Sequence, residues 1–123
     1  MTKQVLDVGQ CVPDHAAIRR LVERNFAANV VQTHGLEDTL AQLRKGHFDL
    51  VLINRKLDQD YSDGIEILKE IKADPELAQV PVMLVTNYPE HQAAAVAEGA
   101  ELGFGKNQLG SPEALTRLQQ FLQ

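Results

Sequence analysis

Phe48–Leu68, FDLVLINRKLDQDYSDGIEIL, decides how the rest of the chain is read. Leu50–Ile53 is apolar at every position, too short for a helix and the right length for a strand buried on both faces; the polar Asn54 ends it. Asp58, Asp60, Ser62, Asp63 and Gly64 turn the chain, and Ile65, Leu68 and Ile71 then recur at helical spacing. In open α/β sheets, chemistry collects where a parallel strand's C-terminal end meets its loop, so Asn54 stands where an active residue is expected. Its amide is neutral and non-nucleophilic, which makes it the wrong residue for catalysis.

Working outward, Gln4–Gly9 predicts a first strand in which Asp7 needs a partner if buried. After a loop, Asp14 is a candidate N-cap for a helix with Ile18, Leu21, Val22 and Phe26 on one face and Arg19, Arg20 and Glu23 on the other. Asn29–Thr33 is a second strand. Gly35 opens a second helix, with Leu36, Leu40 and Leu43 inward and Gly46 as its C-terminal glycine. Downstream, Asp74-Pro75 ends the third helix, and Val80–Val85 (VPVMLV) is a fourth strand ended by Thr86. Glu90–Glu98 is an alanine-rich helix capped by Gly99, and Leu102–Gly105 is a strand weakened by two glycines, followed by Lys106. Ser111-Pro112-Glu113 combines an N-cap, a first-turn proline and an acid to start a last helix carrying Leu115, Leu118 and Leu122.

Five strands alternating with five helices, without repeats or a linker, predict one α/β domain over residues 1–123 with a parallel, doubly wound sheet. Right-handed crossovers bring the loops after strands one, three, four and five to one edge, carrying Gln10, Cys11, Asn54, Thr86 and Lys106. Twelve Lys and Arg against seventeen Asp and Glu give a net charge of −5, which argues against a nucleic-acid or anionic-membrane surface. The apolar runs are far shorter than the roughly 20 residues that span a bilayer, and a charged-then-apolar leader is lacking, so a cytoplasmic protein is expected. The single cysteine fits a reducing compartment.

Several other motifs fail on spacing. Cys11 has Ala17 where a Cys-x5-Arg phosphatase needs arginine, and Pro13 removes a backbone donor, so an unreactive thiol is expected. Asp58, Asp60 and Asp63 have neither calcium-loop spacing nor an acid at Lys69; they read as a solvated turn. Gly103–Lys106 (GFGK) has Ala100 and Asn107 where a nucleotide loop needs glycine and Ser or Thr. His15, His34, His47 and His91 form no metal-ligand spacing and are read as surface residues.

DLVLIN at Asp49–Asn54, VPVMLVT at Val80–Thr86 and GAELGFGK at Gly99–Lys106 together resemble the receiver domain of bacterial two-component response regulators, over nearly the whole chain. The resemblance implies a flavodoxin-like (βα)5 sheet of order 2-1-3-4-5. It also implies a phosphoacceptor aspartate after strand three, and an acidic pair after strand one that holds a divalent metal. The acceptor position is Asn54, and the acidic pair falls on Gln10 and Cys11, or on Gly9 and Gln10, without a carboxylate in either register. Thr86 and Lys106 keep the family's hydroxyl and lysine, which would contact phosphoryl oxygens. Gly103 replaces the rotating aromatic, Asn107 the proline after the lysine, and the loop after strand three is about two residues longer than usual.

The reading is therefore a stand-alone pseudo-receiver with a remnant pocket of Gln10, Cys11, Asn54, Thr86 and Lys106. It is expected to be no enzyme and to need no metal or cofactor. The resemblance implies a protein partner, with a homodimer as one option, on the face of helix four, strand five and helix five, built from Ala93–Ala97, Phe104 and the outer residues of 111–123. Two alternatives stand beside it: a small-anion sensor using Thr86 and Lys106, and a thiol enzyme using Cys11. Lys106 is otherwise solvated or paired with Asp7 or Asp58, and either of those acids would be needed to restore a metal site.

Overall fold

The computed structural model describes residues 2–123. The strands are β1 (Lys3–Val8), β2 (Ala28–Thr33), β3 (Leu50–Asn54), β4 (Val82–Val85) and β5 (Glu101–Phe104). Between and after them come α1 (Val12–Asn25), α2 (Leu36–Lys45), α3 (Ile65–Ala73), α4 (Pro89–Ala97) and α5 (Pro112–Leu122). The five strands form one parallel sheet of order β2-β1-β3-β4-β5, the flavodoxin-like arrangement.

Strand geometry divides the apolar run of β3 between two cores, because successive side chains point to opposite faces. Leu50 and Leu52 join Val5, Met83, Val85 and Phe104 beneath Ile18 and Val22 of α1 and Leu118 and Leu122 of α5. Val51 and Ile53 join Leu6, Val8 and Leu84 beneath Leu43, Leu68, Ile71 and Ala95 of α2, α3 and α4. Both faces of the sheet are thus covered, and every strand's C-terminal end opens onto the same edge. No helix among the described residues is long and apolar enough to cross a membrane.

Several expectations shift. α1 begins at Val12, with Cys11 as N-cap and Pro13 in the first turn, so Asp14 lies inside the helix instead of capping it. Gly46 has φ −146°, an extended backbone, so it ends α2 without the left-handed conformation that would require glycine. Leu36 stays exposed, and Thr39 is buried in its place, its hydroxyl 2.8 Å from that of Thr33. Phe104 and Ala95 are 1 % and 0 % exposed and belong to the cores, so neither can form part of a docking face; Val96 and Leu102 are the large exposed apolar residues there, beside the exposed Ala93, Ala94 and Ala97. The loop after β3 doubles back as a small hairpin, with Lys56 bridging antiparallel to Asp63 and Tyr61 at φ 58°.

Candidate functional site

Asn54 ends β3 half-buried, and its side chain faces the backbone. Its Nδ2 donates to Gly9 O at 3.0 Å and to Lys56 O at 2.6 Å. The amide orientation follows from chemistry, since the opposite one would set an oxygen against two carbonyl oxygens. Gly9 O also accepts from Asp58 N at 3.0 Å, which seats the hairpin loop over the end of β1. Two glycines make this closure possible: Gly9, at φ +75° against Leu57, and Gly64, whose Cβ would overlap Asn54 O.

Asn54, Thr86 and Lys106 line one cleft of about 200 Å³ together with Arg55, Lys56, Val85, Asn87 and Tyr88. Its walls hold three cationic side chains and no carboxylate. Their counter-charges lie outside it: Lys56 Nζ meets Asp63 at 2.7 Å, and Lys106 Nζ meets Asp14 Oδ2 at 2.7 Å. The hydrogen bond from Lys106 holds the Asp14 carboxyl below its usual range. Lys106 is therefore paired with neither Asp7 nor Asp58. Arg55 lies 5.8 Å from the centre of the Tyr88 ring, and the Thr86 hydroxyl accepts from Tyr88 N at 3.3 Å.

Gln10 and Cys11 do not line this cleft. Gln10 is fully buried, with both amide atoms unpartnered among the described residues; Cys11 is exposed, and its thiol donates to Asp14 Oδ2 at 3.2 Å. Beside Gln10, the carboxylate of Asp7 is also fully buried, 2.7 Å from His15 Nδ1 through one oxygen and unpartnered through the other. Burial pushes the Asp7 pKa up to about 6 against the opposing pull of His15. His15 is consequently not the surface residue its sequence context suggests. No group of three His, Cys, Asp or Glu side chains among the described residues is placed to hold a metal.

Asp14 was legible in part, since Pro13 in a first helical turn places the next acid on the same turn. Arg55 and Lys56 gave no signal, because cations after a strand are ordinary loop residues until the hairpin aims them.

The response regulator receiver domain profile matches residues 10–107. Chemotaxis protein CheY-3 of Vibrio cholerae is 31% identical over 75% of this chain and 71% of its own length. Polar-differentiation response regulator DivK of Brucella ovis is 33% identical, covering 72% of this chain and 69% of its own. The signal receiver domain of a DNA-binding response regulator from Colwellia psychrerythraea superposes with a TM-score of 0.81 over 96% of both chains at 22% identity, a likeness of fold. With the strand order, the matched span and these relatives in agreement, the chain belongs to the response regulator receiver domains of two-component signalling.

Proposed function

We propose that this receiver acts without phosphotransfer, as a pseudo-receiver that recognises a protein partner constitutively. The observation that carries the reading is the side chain of Asn54. Receiver chemistry needs a nucleophilic carboxylate there, and an amide supplies no nucleophile. A magnesium ion beside it would need hard oxygen ligands, ideally carboxylates. The donor set does not fit one: an N–H₂ group occupies the space between the carbonyls of Gly9 and Lys56, Gln10 is turned inward, and Cys11 offers a thiol. Lys106 is already neutralised by Asp14. Gln10, Cys11, Asn54, Thr86 and Lys106 are on this reading remnants of a phosphorylation site, with no catalytic role.

Receivers work through other proteins, and the surface offered here is the α4–β5–α5 face, where Val96 and Leu102 are 45% and 51% exposed. A second copy of the chain is one partner such a face would suit. The test is a heteronuclear NMR titration with magnesium and beryllofluoride, which imitates a phosphoryl group on aspartate. The expected spectrum is unmoved. Joint, magnesium-dependent shifts of Asn54, Thr86 and Lys106 would mean that Asp7 or Asp58 serves the site, and the reading would be lost.

A second reading, a small-oxyanion sensor, draws on the three cations and one hydroxyl that line the cleft without a carboxylate. Its mark is a sulfate- or phosphate-dependent shift at Thr86 and Lys106 that disappears in Lys106→Ala.

A further inference from the structure

β5 is held by side chains where its ladder with β4 breaks. Met83 pairs with Glu101 and Val85 with Phe104, so two steps along β4 face three along β5, and the extra residue falls at Leu102–Gly103. A bulge removes ladder partners, and buried backbone groups must then be satisfied by other means. Gly103 is buried. Its N–H donates to Gln92 Oε1 of α4 at 3.0 Å, and its carbonyl accepts from Arg117 Nη1 of α5. Gln92 is itself buried, and its Nε2 donates to Leu84 O at 2.9 Å and to Thr86 O at 3.3 Å. One glycine thus joins α4, the end of β4 and α5. A Cβ at Gly103 would overlap Leu84 O and crowd Gln92 Oε1, so the position that the resemblance gives to a rotating aromatic has no room for any side chain.

We propose that Gln92, Gly103 and Arg117 form a clamp that holds the α4–β5–α5 surface in one conformation, whatever the cleft beside Lys106 contains. Sliding α4 away from the sheet strips partners from Gly103 N–H and Leu84 O together, both in places that water does not reach. A surface that switches needs two packings of similar free energy, and the clamp raises one of them. It also fixes the output geometry: Leu102 is held outward at the bulge, in a groove of about 360 Å³ whose other walls include Pro89, Ala93, Gln108 and Arg117. The clamp's importance for signalling rests on the reading that this face meets a partner; the clamp itself is a property of the free protein.

The test is amide hydrogen exchange, followed by NMR on the free protein. In the wild type, Gly103 should exchange among the slow core amides. Gln92→Met keeps the side chain's length and removes its polar atoms; it should speed exchange at Gly103, whose N–H donates to the Gln92 side-chain carbonyl, by about tenfold or more. Arg117→Met should do the same to a smaller extent, and it carries the test if Gln92→Met fails to fold. Lys106→Ala should leave Gly103 slow. Fast exchange of Gly103 in the wild type, or an equal loosening by Lys106→Ala, overturns the clamp. If the clamp pattern holds while no partner binds the face, the clamp stands and the partner reading fails.

Discussion

Asn54 and Asp7 show how a single side chain sets the chemistry of its surroundings. The sequence made Asn54 visible as the residue ending a buried strand, but not the direction of its amide, which depends on Gly9 and Lys56 arriving from other segments. Asn54→Asp should destabilise the fold by about 1–3 kcal/mol at pH 7, because a carboxylate oxygen would face two carbonyls that now accept hydrogen bonds. Urea unfolding should show that deficit shrinking at pH 4, where the new carboxyl protonates and can donate. A buried Asp7 calls for a partner from sequence alone, but that the partner is His15 depends on where α1 begins. Its folded pKa, raised to about 6 from 3.8 by burial, makes Asp7's contribution to stability fully present below pH 3.8 and lost as pH rises through about 6. At about 1.4 kcal/mol per pK unit this amounts to about 3 kcal/mol. Asp7→Asn carries no charge at any pH, so its stability relative to wild type should rise by up to that amount between pH 4 and pH 7. A pH-independent difference between the two proteins would show that Asp7 does not titrate in this range.

Elements were read most securely where one local rule decided them. Ser111 caps α5 as expected: its Oγ accepts from Ala114 N at 3.3 Å, and Pro112 follows in the first turn. Ser111→Ala should therefore cost about 1 kcal/mol in a denaturation midpoint, with the urea dependence unchanged because the core is untouched. A loss below a few tenths would mean that tertiary packing, and not the cap, starts this helix. α1 begins two residues before the Asp14 that its sequence offers as N-cap, because in a first turn the missing N–H of Pro13 costs nothing. By propensity alone, Gly103 and Gly105 weaken β5. In the fold, both glycines permit close approach, to Leu84 O and to Asn87, and Gln92 supplies what the ladder lacks. Gln92 was missed because α4 reads as an alanine helix, although a single amide three residues before the buried Ala95 sits on the inward side.

At the scale of the whole molecule, the order of strands and helices carried the fold, because alternation and right-handed crossovers leave few ways to wind five short strands into one sheet. The cleft was harder to foresee, since it is assembled from the ends of β3, β4 and β5, and its sign depends on which charges find partners elsewhere. The chain carries a net charge of −5, while the cleft's own lining is cationic, so overall charge says nothing about what enters it. Thermal unfolding separates the two functional readings, because a ligand that binds only the folded state raises the melting temperature by an amount that grows with the logarithm of its concentration over its dissociation constant. Magnesium at about 10 mM should leave the midpoint within about 1 °C of the value in sodium chloride of matched ionic strength, since a rise of several degrees needs about 1 kcal/mol of binding. Sulfate stabilises proteins generally by exclusion from their surfaces, so a rise in sulfate alone is uninformative. The informative quantity is the difference between wild type and Lys106→Ala in the same sulfate. Equal rises in the two leave constitutive partner recognition as the working account. A larger rise in the wild type identifies the cleft as an oxyanion site, with Lys106 released from Asp14 to hold the ligand.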